Sequence, residues 1–82
     1  MPTVLRADGL RLHFYSHEPG EPPHVHADRG GCSAKVWLNP VVLASNAGFA
    51  ARELTEVLRL VRMNENRLLE AWHGFFKSGW HG

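Results

Sequence analysis

Cysteine is almost missing from this chain: Cys32 is the only one in 82 residues. A single thiol excludes an intramolecular disulfide and any cysteine-based zinc cluster, and it favours a reducing cytosol. Long apolar runs are missing too. No stretch approaches the ~20 residues that a spanning helix needs. The start, Met1-Pro2-Thr3-Val4-Leu5-Arg6, lacks the charged segment and long apolar core of a signal peptide. The expectation is a soluble cytoplasmic protein with no membrane partner. Neither sign of charge dominates, with nine basic against eight acidic residues, which excludes a polybasic nucleic-acid arm and an acidic tail. There is no internal repeat and no low-complexity tract.

What is present suits one small domain, expected over residues 1–77 with a flexible tail at 78–82. Three tryptophans and four phenylalanines supply material for a core. The first half reads as strands. Thr3 to Arg6 is β-rich and ends at Asp8-Gly9, a hairpin-turn dipeptide. In Leu10 to Ser16, Leu10, Leu12 and Phe14 alternate with Arg11, His13 and Tyr15, the period of a half-buried strand. His13 then belongs to the wetter face. Residues 17–23 hold three prolines and a glycine and form a loop. Residues 24–28 make a third strand, Asp28-Arg29-Gly30-Gly31 a turn, and Cys32 to Leu38 a fourth strand. In that strand Cys32, Ala34, Val36 and Leu38 oppose Ser33, Lys35 and Trp37. Val41-Val42-Leu43-Ala44 reads either as a further strand end or as one helical turn. Asn46-Ala47-Gly48 reads as a break, and Phe49 as a core plug.

From Ala50 the apolar period becomes helical. Leu54, Val57, Leu58 and Val61 share one face, and Leu68, Leu69, Ala71, Trp72, Phe75 and Phe76 form a second stripe. A single helix over residues 50–77 would be about 42 Å long, against a domain diameter near ~30 Å. Two helices, near 50–63 and 65–77, with Asn64 as the N-cap of the second, therefore fit better. An overhanging rod would suit only a homo-oligomer. The fold expected is α+β: a mostly antiparallel sheet of three to four strands, then two C-terminal helices on one of its faces.

The most distinctive stretch is Pro22-Pro23-His24-Val25-His26. The prolines stiffen the approach, and residues two apart in a strand share a face, so His24 and His26 stand side by side. Three chemistries are open to such a pair. It can ligate a divalent metal such as zinc, completed by Asp28 on the same strand face or by His13 or His17. It can act as general acid and base in RNA cleavage, with Arg11, Arg29 or Lys35 stabilising the phosphorane charge. Or the imidazoles only hydrogen-bond and stack within a rigid loop-to-strand transition. His73, opposite its helix's apolar stripe, is expected in solvent, and Cys32 is expected as a small core residue rather than a nucleophile.

Two further surfaces stand out. If the helices cover one face alone, Trp37 joins Tyr15, Arg29 and Lys35 in an aromatic patch rimmed by cations, suited to a protein partner or to RNA stacking. Arg52, Arg59 and Arg62 place cations on one helix face, where they can meet RNA or DNA phosphates. Glu53 and Glu56 interleave with them, which favours a self-neutralised, solvated face.

Phe14-Tyr15-Ser16, Pro22-Pro23-His24-Val25-His26, Ala34-Lys35-Val36-Trp37-Leu38 with Pro40, Gly48-Phe49, Glu53-Leu54 and the segment from Trp72 to Phe76 occur in that order. Together they resemble the bacterial domain of unknown function 4160 family over nearly the whole chain. The resemblance implies a stand-alone small protein encoded beside a member of a second family, domain of unknown function 2442. It also implies a toxin–antitoxin-like or regulatory two-protein module. It implies no activity, so His24 and His26 stand as catalytic candidates on their own chemistry.

Overall fold

The computed structural model describes residues 3–14 and 20–79, with side chains over 5–14 and 20–74. Expectations about Tyr15, His17, residues 80–82 and the side chains of Phe75 and Phe76 lie outside the described residues.

The described residues run through five strands and then two helices: β1 (Thr3–Ala7), β2 (Leu10–His13), β3 (His24–Arg29), β4 (Cys32–Leu38), β5 (Val41–Ala47), α1 (Ala51–Met63) and α2 (Glu65–Gly79). The strands form one antiparallel meander in the order β1-β2-β3-β4-β5. The α+β class and the two C-terminal helices are as expected, but the sheet has five strands, not three to four. The fifth is β5. Its residues alternate poorly, as Val-Val-Leu-Ala-Ser-Asn-Ala, because it lies at the sheet edge with most positions exposed. A bulge opposite Lys35 and Val36 further disturbs its period.

Local chemistry explains the turns. Ala7 pairs with Leu10 across a two-residue turn in which Asp8 has φ 54° and Gly9 φ 80°. Positive φ at both turn positions is what Asp-Gly tolerates and what matches the twist of the flanking strands.

The sheet's faces differ in chemistry. Leu10, Leu12, Phe14, Val25, Ala27, Ala34, Val36 and Leu38 form one buried face with Phe49, Val57, Val61, Leu68 and Trp72. Both helices lie against this side, α1 over β4 and β5 and α2 over β4. Phe49 is the expected plug. Asn46, which reads as a break in sequence, is the last-turn anchor of β5: its Nδ2 donates to the Phe49 carbonyl at 3.0 Å and its Oδ1 accepts the Phe49 N–H at 3.1 Å. Glu53 then accepts the Ala50 N–H at 2.9 Å, satisfying a backbone donor just ahead of α1.

The helices break at Asn64, but not by the expected capping. The Asn64 side chain points back and donates to the Leu60 carbonyl at 2.9 Å, satisfying an acceptor at the end of α1. Only its backbone carbonyl serves α2, accepting from Leu68 N–H at 2.9 Å. One residue closes the first helix with its side chain and opens the second with its main chain.

Candidate functional site

The second sheet face carries Arg11 and His13 from β2, His24, His26 and Asp28 from β3, and Lys35 and Trp37 from β4. The antiparallel register makes neighbours of residues far apart in sequence: His13 faces His26, His26 faces Lys35, and His24 faces Trp37. Period two within β3 sets His24 beside His26, as the sequence predicts. The pairing with β2 adds His13, which strand alternation alone places on a wet face.

The result is a row of rings. His13 stacks on His26 with centroids 5.7 Å apart and planes 25° from parallel. His26 meets His24 edge-on at 5.2 Å, and His24 meets Trp37 edge-on at 5.7 Å. Each end is tied to a carboxylate. At one end His13 Nε2 lies 2.6 Å from Asp28 Oδ2. At the other, Lys35 Nζ sits 4.8 Å from the centre of the Trp37 ring and pairs with Glu21 Oε1 at 2.5 Å. A cation over an indole face is held by the ring's quadrupole.

His24 is held from its own approach loop. Its Nδ1 lies 2.9 Å from the Pro22 carbonyl oxygen. A carbonyl only accepts, so Nδ1 carries a proton in this bond and Nε2 is the basic nitrogen of the neutral ring. The rigid Pro22-Pro23 approach thus orients the imidazole as well as delivering the strand. Pro23 contributes too, its carbonyl accepting the Leu38 N–H at 3.0 Å and fastening the loop to the end of β4.

The described helix side chains pack on the other face, yet the imidazoles are not open to water. His13, His24 and His26 are 0%, 1% and 9% exposed. The wetter surroundings expected for His13 are therefore corrected. Asp28, expected to complete a metal set with His24 and His26, instead directs a carboxylate oxygen to His13. Among the described residues no group of three or more His, Cys, Asp or Glu side chains is placed to hold a metal.

The cations named from sequence divide by role. Lys35 stays on the histidine face in its pair with Glu21. Arg11 is half-buried beside Asp28 in the register, and among the described residues its Nε has no hydrogen-bond partner. Arg29 points to the opposite side of the sheet, since it pairs with Cys32 at the end of β3. There it donates to the Asp8 carbonyl at 3.0 Å, to Glu56 at 2.9 Å and to Glu53 at 3.5 Å. It joins the β1–β2 turn to α1 and does not reach the Trp37 patch proposed for it. The hydrogen bond to Glu56 raises the already high pKa of Arg29, and the same bond holds the Glu56 carboxyl below its ordinary value. Trp37 is half-buried, Cys32 is half-buried against the core, and His73 is exposed with its ring 5.4 Å from that of Trp72.

Two features had no signal within any one segment. Glu21 gains meaning only through its reach to Lys35, and Arg29 only through α1. No described helix is long and apolar enough to cross a membrane.

The model of the family described as domain of unknown function (DUF4160) matches residues 9–73, a span from the turn before β2 into α2 that holds every member of the ring row. No curated protein matches, and no solved structure matches.

Proposed function

The chain belongs to the domain of unknown function 4160 family, and from that premise we propose that it is a partner-binding protein, one component of a cytoplasmic two-protein module of the toxin–antitoxin-like or regulatory kind. The observation that carries this reading is β5. It is the last strand of the sheet, its residues are mostly exposed, and Val42 is 48% exposed although large and apolar. A sheet edge of seven residues offers a row of backbone donors and acceptors to an added strand. Val42 pairs across the strands with Trp37, so an incoming strand would find an apolar spot bordered by Lys35 and Ser45. The partner is a small protein of the domain of unknown function 2442 family, which supplies the added strand.

A second reading, phosphodiester cleavage of RNA by His24 and His26, is favoured by the 5.2 Å separation of their rings. Exposures of 1% and 9% count against it, because a phosphate must touch both imidazoles in the transition state.

Co-expression with the product of a neighbouring gene of that second family tests the first reading. The two proteins are expected to co-elute, and Val42→Lys with Ala44→Lys to weaken the complex by about tenfold or more, as loss of a central apolar contact does. Unchanged affinity in the double variant sinks the β5 assignment. RNA cleavage by the purified chain that vanishes in the His24→Ala, His26→Ala variant would transfer the function to the histidine row.

A further inference from the structure

The outer face of α1 shows a separation of charge that the sequence conceals. Along the helix, Glu53 and Glu56 lie between Arg52 and the pair Arg59 and Arg62, an arrangement that reads as self-neutralised. In the fold both glutamates turn toward Arg29 at the end of β3, with Glu56 Oε1 2.9 Å and Glu53 Oε2 3.5 Å from its guanidinium. Both acids are thus engaged by a cation from the sheet. Arg52, Arg59 and Arg62 are exposed, and among the described residues none of them has an ion pair. At 3.6 residues per turn the three lie within an arc of about 80°, with Arg52 and Arg59 separated along the axis by about 10 Å. Thr55 lies between them. Two shallow hollows of 310 and 330 Å³ open along this stripe, one lined by Thr55, Arg59, Arg62 and Met63, the other by Arg52, Thr55, Glu56 and Arg59.

We infer that this arginine stripe of α1 is a docking surface for the phosphate backbone of double-stranded DNA, bound without regard to sequence. Charge complementarity is the first argument: three guanidiniums of one sign, presented on a rigid helix, match an evenly spaced polyanion. The choice of duplex follows from what the stripe lacks. It has no aromatic side chain on which an unpaired base could stack, and such stacking is the usual platform for single strands. Base reading would need bidentate amide or guanidinium contacts inside a groove, and a stripe this sparse can make only backbone contacts. The ~10 Å between Arg52 and Arg59 is close to the ~12 Å width of the B-form major groove, so the two can reach phosphates on opposite rims. The corresponding groove of an A-form RNA duplex is too narrow for that placement. This surface is on α1 and not on β5, so it stands or falls separately from the partner proposed above.

The test is fluorescence anisotropy of a short labelled DNA duplex titrated with the full chain at several salt concentrations. Three phosphate contacts predict a slope of log affinity against log salt near about −2.7, hence about a forty-fold loss between roughly 50 and 200 mM salt. Arg59→Ala with Arg62→Ala is expected to bring the slope to about −0.9, and the triple alanine variant to abolish binding, at an unchanged melting temperature because all three side chains are exposed. Arg59→Lys with Arg62→Lys keeps the charges and is expected to keep the slope. The inference is overturned if the duplex does not bind at low salt, or if the triple variant binds like the parent. Preference for the single strand of the same sequence, or for an RNA duplex, overturns it equally.

Discussion

Replacing Asp28 with alanine tests whether the ring row is a structural device. His13 is fully buried and its Nε2 lies 2.6 Å from Asp28 Oδ2. Removing the carboxylate leaves that nitrogen without the partner it has in the fold, and a buried polar atom deprived of its hydrogen bond costs about 1–3 kcal/mol. The Asp28 side chain is 36% exposed, so water can replace part of what is lost. The lower half of the range, about 1–2 kcal/mol, is therefore expected. In a domain of this size each kcal/mol moves the melting temperature by about 4–8 °C, giving a fall of roughly 4–16 °C for Asp28→Ala. Asp28→Asn keeps an acceptor oxygen at the same place and is expected to lose less than half as much. Thermal and urea denaturation followed by circular dichroism read both. The reasoning is refuted if Asp28→Ala melts with the parent, or if Asn and Ala variants fall equally. In a purely structural row, partner binding at a temperature where the variant is folded stays unchanged.

Three further outcomes follow from other parts of the fold. Gly48 has φ +101°, and a Cβ built there would lie 3.1 Å from Cys32 Sγ, so Gly48→Ala is expected to destabilise by about 1–3 kcal/mol in urea denaturation. Gly30 has φ +60° but open space around it, so Gly30→Ala carries the backbone penalty alone and is expected to cost less than Gly48→Ala. The Glu56–Arg29 pair has a pH signature. Because the folded state holds the Glu56 carboxyl low, its contribution is fully present above the unfolded-state value and is lost as pH falls through the lowered folded-state value. Melting curves between neutral and strongly acidic pH should show that loss in the parent and a shallower acid limb in Glu56→Gln; identical limbs would show that the ion pair contributes nothing.

The DNA surface depends on how the fold divides its charges. Arg29 is the pivot. By reaching from the sheet to Glu53 and Glu56 it fastens α1 to β3 and competes with the α1 arginines for those two carboxylates. Arg29→Ala should therefore weaken DNA binding through the released glutamates, although Arg29 faces away from the stripe.

Much of the architecture could be read from the chain, because it rests on short-range periodicity. Alternation over Leu10, Leu12 and Phe14, and over Ala34, Val36 and Leu38, assigns the inner face wherever a strand is present. Asp8-Gly9 specifies its own turn through positive φ. The helical stripes around Val57, Val61, Leu68 and Trp72 need no partner to be recognised, and neither does the side-by-side placing of His24 and His26. The tertiary structure decided what depends on register. Nothing within β2 says that His13 stands against His26, since that contact spans 13 residues and is set by which strand pairs with which. The same holds for β5, whose weak alternation is tolerated because its neighbour β4 supplies the ladder. It holds also for the glutamates of α1, whose choice between Arg29 and the helix's own arginines depends on where β3 ends. Sequence periodicity names the face on which a side chain lies; only packing across strands and helices determines what it meets there, and so whether a histidine is wet or buried and whether an arginine is neutralised or available.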